Sequence, residues 1–331
     1  MPKRFAILGA GRIGQVHARA VSNNEDAELA AIFDPVGAAT ESIVERYGAA
    51  RMSIEEIAAD TDIDAVLLCT PTDRHAEQIE FFARAGKAVF CEKPIDLSSS
   101  RARECLDVVK KTKATLMVGF NRRYDPHFMA VKAQINNGSI GNPETGVIIS
   151  RDPALPPAEY IKRSGGIFKD MMIHDFDMAV YLMGSMPETV SATGSVLTDP
   201  EVANLGDYDT ACAVLRWTDG RHVVVSNSRR AVYGYDQRIE VHGSQGMVAA
   251  ENQRPIGIEL ATDKGYTRPP LHDFFMTRYT EAYANEINAF IAAINGEAAE
   301  IPTGKDGLNS LLMAEAALAS LEKGTVVKIE T

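Results

Sequence analysis

The sequence predicts an α/β protein of two domains: a doubly wound parallel sheet over residues 1–120, then an α+β domain with a large open, mainly antiparallel sheet over residues 121–331. Three observations predict it. Short apolar runs alternate with amphipathic stretches through the N-terminal part, a glycine-punctuated turn follows the first run, and after Asn121 strand-like runs are joined by short turns.

The first strand, near Phe5, runs through FAILGAGRIG into Gly9, Gly11 and Gly14. Gly9 permits a tight strand-to-helix turn, Gly11 lets backbone approach a pyrophosphate, and Gly14 lets helix and strand pack closely. The helix start supplies unpaired N–H groups and the positive end of its dipole, so phosphate binding needs no side-chain cation. A second strand ends in Asp34, where a carboxylate can accept hydrogen bonds from a ribose diol. Asp34 would repel a 2′-phosphate, and Pro35 rather than arginine follows it, so the expected cofactor is NAD rather than NADP.

Further strands are expected near Val66, Val89 and Leu116, with helical patterns at 72–85 and 99–111. The hydroxyls of Ser98–Ser100 offer N-caps to the second helix, and Ala85-Gly86 closes the first. Beyond Asn121, runs at 147–150, 210–217, 222–228, 238–242 and 247–251 read as strands, with hairpin turns at Asp219-Gly220 and Gly243–Gly246. Helical patterns at 279–294 and 306–321 precede a short final strand at 326–329.

The net charge of −11 disfavours nonspecific attraction to nucleic acid or anionic membranes. The sequence shows no spanning apolar run and no room for a signal peptide, so a cytoplasmic protein is expected. Cys69, Cys91, Cys105 and Cys212 lack C-x-x-C spacing and read as reduced, structural thiols.

Two constellations can carry chemistry. Glu92-Lys93-Pro94 places a lysine just past the carboxyl end of a parallel strand, the edge where open α/β sheets bind ligands, and the Thr70-Pro71 turn lies at the next strand end. Pro94 biases Lys93 toward an extended conformation. In the second, Asp170, His174 and Asp177 fall at i, i+4 and i+7; on a helix they share one face, where a carboxylate supports an imidazole that titrates near neutrality. An ordinary polar helix face is the bland alternative. A metal site lacks a convincing third ligand, and none is expected.

GAGRIG, Cys91-Glu92-Lys93-Pro94 and Asp170 with His174 together resemble the glucose-fructose oxidoreductase and inositol dehydrogenase family, over nearly the whole chain. Residues 165–179, GGIFKDMMIHDFDMA, and 226–247, SNSRRAVYGYDQRIEVHGSQGM, are similar to bacterial inositol 2-dehydrogenases. The resemblance implies a Rossmann domain and NAD-dependent oxidation of a ring secondary hydroxyl of myo- or scyllo-inositol to the ketone. It implies Lys93, Asp170 and His174 as the catalytic trio, with Asp177 structural. It implies a homotetramer built through the open faces of the second-domain sheets. The expected cofactor contacts are Gly9, Gly11, Arg12, Ile13, Gly14, Asp34, Thr70, Pro71, His75, Glu92 and Lys93. Asn121, Arg151, Asp152, Tyr233 and Tyr235 join Asp170 and His174 as expected substrate contacts. Ser150 stands where the family often carries a histidine, followed here by Arg151-Asp152, which leaves the preferred isomer or sugar open. The alternatives are a pyranose dehydrogenase, an NAD-dependent glycosidase and a dinucleotide sensor without chemistry.

Overall fold

A computed structural model describes residues 2–330. They form two compact units, one running up to Tyr124 and taking in Thr280–Leu311, the other comprising Asp125–Tyr279 and the residues from Leu312 onward. This division differs from a single cut after residue 120, because the helix Thr280–Ile294 packs into the first unit. It buries Tyr283, Ile287 and Phe290. Phe290 meets Phe5 and Phe90 at ring separations of 6.2 and 5.8 Å.

The first unit is built on six parallel strands: β1 (Lys3–Leu8), β2 (Ala27–Phe33), β3 (Ala50–Arg51), β4 (Ala65–Leu68), β5 (Ala88–Glu92) and β6 (Leu116–Gly119). Their order is β3-β2-β1-β4-β5-β6. The two-residue edge strand β3 adds to the five expected. β4 and β6 are buried along their whole length, as strands covered on both faces require. The order reverses between β1 and β4, which makes the carboxyl ends of those strands the crevice where ligands bind.

One boundary and one cap differ from expectation. Residues Thr72–Arg74 form a 3₁₀ turn, and the α-helix starts only at His75. Ser98 occupies the N-cap of Ser99–Thr112 but makes no side-chain capping bond.

The second unit holds a seven-stranded sheet. Its strands are β7 (Pro143–Arg151), β8 (Thr189–Ser195), β9 (Thr210–Arg216), β10 (His222–Ser228), β11 (Asp236–Gly243) and β12 (Gly246–Ala250); β13 (Leu260–Thr262) and β14 (Gly265–Thr267) form a separate hairpin, and β15 (Val327–Lys328) closes the series. The order is β12-β11-β7-β10-β9-β8-β15. Only β7 and β10 run parallel; the other neighbours are antiparallel. The β9–β10 and β11–β12 turns fall at the glycine-containing turns read from sequence, and Gly220 has φ +93°, a conformation that favours glycine.

Candidate active site

In the first unit, Gly9 has φ +98°, and a Cβ there would lie 2.5 Å from the Cys69 carbonyl oxygen. A Cβ on Gly14 would lie 1.9 Å from Gly9 O. Both glycines are therefore fixed by packing within the fold. Gly11 is different: its backbone is ordinary for any residue, and a Cβ would meet nothing within 4 Å. Its surface is open, and the helix Arg12–Ser22 that follows has no side-chain cap. Uncapped N–H groups beside an open glycine fit a pyrophosphate. Arg12 is exposed and Ile13 half-buried at the same turn.

Asp34 is held by its neighbours. Its Oδ2 accepts from Ala10 N–H and its Oδ1 from Val36 N–H, each at 2.8 Å. A carboxylate offers about four lone-pair sites, so capacity remains for a ribose diol. The residues present thus fit a dinucleotide.

Five expected contacts lie at or just past the ends of β4 and β5. Thr70 donates its hydroxyl to Gln78 at 2.6 Å, and Pro71 is exposed. His75 is buried: its Nδ1 lies 2.7 Å from Pro94 O and its Nε2 2.8 Å from Thr70 O. Rather than facing outward to a ligand, it bridges the two turns. Glu92 also turns inward, its Oε1 2.7 Å from His17 Nε2. Lys93 is half-buried, and the Lys93–Pro94 peptide is cis. Asn121 follows β6 and is buried in this unit.

In the second unit, Asp170 and His174 do not share one continuous helix. Asp170 ends the short helix Gly166–Asp170, Met171 and Met172 turn, and the next helix, Ile173–Met183, starts just before His174. The paired positive φ values of Gly165 and Gly166, +84° and +81°, set up this short, angled segment. The Asp170 carboxylate accepts from the Tyr160 hydroxyl at 2.7 Å and from Arg229 Nη2 at 3.3 Å.

Asp175 and Asp177 are buried on the helix that begins at Ile173. Asp175 accepts from Ser150 Oγ at 2.5 Å and from Asn227 Nδ2 at 2.8 Å, pinning this helix to β7 and β10. The Ser150 hydroxyl therefore serves this packing.

Arg151 and Tyr233 are brought together. Arg151 Nη1 donates to Tyr233 Oη at 2.9 Å, and Tyr233 donates to the fully buried Asp236 at 2.5 Å. Burial, then the hydrogen bond to Asp236, raises the Tyr233 phenol above its ordinary range. Asp236 also receives Arg238 and Asn252, and these bonds hold its carboxyl below the usual range despite burial. The Tyr235 ring packs edge-on against Phe274 and Tyr279 at 5.5 and 6.0 Å, so its ring belongs to an aromatic cluster. Asp152 joins strand ends through its backbone, donating to Ser228 O and accepting from Ala231 N–H. Tyr160, Arg229, Asp207 and Asp236 were not singled out in the sequence. Only the basic pair after a strand, Arg229-Arg230, signalled one of them.

Among the described residues, no group of three or more histidine, cysteine, aspartate or glutamate side chains is placed to hold a metal ion, and no helix is long and apolar enough to cross a membrane.

Residues 3–120 match the NAD-binding Rossmann domain of an oxidoreductase family, and residues 132–329 match that family's C-terminal α/β domain. The chain is 61% identical to inositol 2-dehydrogenase of Rhizobium meliloti, covering 99% of this chain and 100% of that protein. It is similar to the crystal structure of a myo-inositol dehydrogenase from Corynebacterium glutamicum, with 40% identity, TM-score 0.95 and full coverage of both chains. A scyllo-inositol dehydrogenase from Lactobacillus casei, solved with bound NAD(H) and scyllo-inositol, superposes with TM-score 0.92 at 28% identity, again over both full chains. The open Gly11 turn, the tethered Asp34 and these end-to-end likenesses agree, and the chain belongs to the glucose-fructose oxidoreductase and inositol dehydrogenase family of NAD-binding oxidoreductases.

Proposed function

We propose that the protein oxidises a ring secondary hydroxyl of inositol, myo or scyllo, to the ketone with NAD. The observation that carries this reading is the end-to-end likeness to an inositol 2-dehydrogenase. The local chemistry supports it: a carboxylate with two fixed donors stands four residues before a histidine, and a lysine stands at a strand end suited to ligand binding.

In the oxidation, His174 takes the proton of the reacting hydroxyl as its carbon gives up a hydride. Lys93 donates a hydrogen bond to the same oxygen and stabilises its developing negative charge. Asp170 orients His174 and supports the imidazolium that forms. Bound NAD would supply the hydride acceptor, carbon 4 of its nicotinamide. Gly11 and the helix start behind it would hold the pyrophosphate, and Asp34 the ribose diol. The Asp34 carboxylate disfavours a 2′-phosphate, so NAD is preferred over NADP. Further contacts to the polyol come from Asn121, Asp152, Arg151 and Tyr233.

The assembly is a homotetramer in this reading. Val147, Val224 and Val214 form one cross-strand row on β7, β10 and β9, and Val147 and Val214 are exposed. Four free cysteines suit a reducing cytoplasm.

A pyranose dehydrogenase is the second reading. It is favoured by Ser150, whose hydroxyl is committed to Asp175 and offers no imidazole to a cyclitol.

The test is the purified protein with NAD and a panel of myo-inositol, scyllo-inositol, chiro-inositols and aldopyranoses, followed by NADH absorbance. Stoichiometric NADH with the highest kcat/KM on an inositol is expected. Higher efficiency on a pyranose selects the second reading, and NAD binding without NADH from any member overturns both.

A further inference from the structure

Asp170 sits at the end of a charged chain that runs back into the second unit. Its Oδ1 takes the Tyr160 hydroxyl and its Oδ2 faces Arg229 Nη2. Arg229 is 1% exposed, and the same Nη2 lies 3.5 Å from Asp207 Oδ2. Asp207 is anchored in turn, because its Oδ1 accepts from Ile167 N–H at 2.8 Å. The anchor has no slack: a Cβ on Gly166, at φ +81°, would lie 2.7 Å from that same Oδ1.

Each partner is suited to holding rather than reacting. A guanidinium is always charged and only donates. One guanidinium shared by two carboxyl groups cannot cancel both. Desolvation at its hydroxyl end, then the charge of Asp170, raises the Tyr160 phenol well above its ordinary range although the ring is half-exposed, so its O–H stays a donor. Burial likewise raises the Asp207 carboxyl, against the pull of Arg229.

We propose that Tyr160 and Arg229 are positioning residues for the oxidation, gripping the Asp170 carboxylate by opposite oxygens so that its remaining lone pairs point in fixed directions. The proposal rests on the reading of Asp170 as a catalytic residue. An aspartate carboxylate that turns about Cα–Cβ and Cβ–Cγ explores many orientations; two donors on opposite oxygens restrict that freedom before substrate arrives. Tyr160 is half-exposed on the short helix Ala158–Ser164, while Arg229 and Asp207 are buried. The grip therefore has a buried, rigid side and an accessible side.

The experiment is a double-mutant cycle on the full-length protein, Tyr160→Phe, Asp170→Asn and both together, with kcat and KM for myo-inositol and the Kd of NAD measured separately. Tyr160→Phe is expected to lower kcat about tenfold, with NAD affinity unchanged. The double variant is expected to be no slower than Asp170→Asn alone. Arg229→Lys should keep part of the kcat that Arg229→Met loses, with both folded by circular dichroism. Losses that multiply in the double variant, or a Tyr160→Phe effect confined to KM, overturn the grip while leaving Asp170 in its role. Full activity of Asp170→Asn overturns the catalytic reading of Asp170, and the grip with it.

Discussion

His75 Nδ1 lies 2.7 Å from the carbonyl oxygen of Pro94, and through its other nitrogen the same ring reaches Thr70 O. A carbonyl only accepts, so only the protonated ring can donate to both. Burial pulls the ring's titration down from the ordinary histidine range, against those two carbonyls, which favour the charged form. The protonated imidazole ties the turn after β4 to the turn that carries Lys93, whereas the neutral ring donates to one of them only. His75→Ala cuts that tie without touching Lys93. The expected outcome is a kcat lower by about 10- to 100-fold, the cost of misplacing a catalytic group by an ångström. Steady-state kinetics at saturating NAD check it, and an unchanged kcat sinks the positioning role.

Asp34 receives backbone N–H groups from the glycine turn and from Val36. Asp34→Ala removes the expected ribose acceptor and leaves those two donors to water. NAD affinity should fall by about tenfold or more, and the NAD to NADP preference should collapse as the repulsion of the 2′-phosphate disappears. Calorimetric titration with both dinucleotides measures this. A ratio of affinities equal to that of the unmodified protein rules out a contact between Asp34 and the ribose.

The dinucleotide half was largely legible because its signals are local. Gly9, Gly11 and Gly14 answer to geometry within a few residues, and β4, β6 and the Phe5–Leu8 part of β1 are unbroken apolar runs. The second unit was less so. β8 reads TVSATGS, with too few apolar side chains to announce a strand. The helix Pro126–Asn136 is announced only by the Asp125-Pro126 start, where Asp125 caps His127 and Phe128. The segment 170–177 reads as one helix in the sequence because Asp170, His174 and Asp177 keep helical spacing, yet the chain turns at Met171–Met172. Residues that hold the site were least visible of all: Arg229 meets Asp170 from 59 positions away, and no spacing rule connects them. His75 and Glu92 sit beside the expected cofactor turns but face inward, a matter of side-chain direction that the one-dimensional pattern does not encode.

The hydroxyl of Ser150 donates, with Asn227 Nδ2, to the buried Asp175 and so holds the helix bearing His174 against the sheet. Ser150→Ala leaves one buried carboxylate oxygen short of a donor. A loss of about 1–3 kcal/mol in stability is expected, read as a lower urea midpoint. The loss should shrink in an Asp175→Asn background, where there is less charge to satisfy. Equal midpoints for Ser150→Ala and the unmodified protein would show that the hydrogen bond contributes nothing net.

Glu286 is fully buried in the first unit, and neither carboxyl oxygen has a hydrogen-bond partner among the described residues. Burial raises its titration well above the ordinary carboxyl range, and the negative charge of Glu92 adds to the shift. The folded protein therefore keeps this proton at pH values where the unfolded chain has lost it. The resulting contribution to stability is complete below about pH 4.5 and drains away as pH rises toward the folded-state titration. Glutamine has nearly the same shape and never ionises, so Glu286→Gln escapes that loss. The melting temperature of Glu286→Gln, relative to the unmodified protein, is expected to climb as pH is raised above about 4.5 and to level off at the folded-state titration. Thermal unfolding from below about pH 4.5 upward checks it. A constant difference between the two proteins would mean that Glu286 titrates alike folded and unfolded, and would overturn the reading.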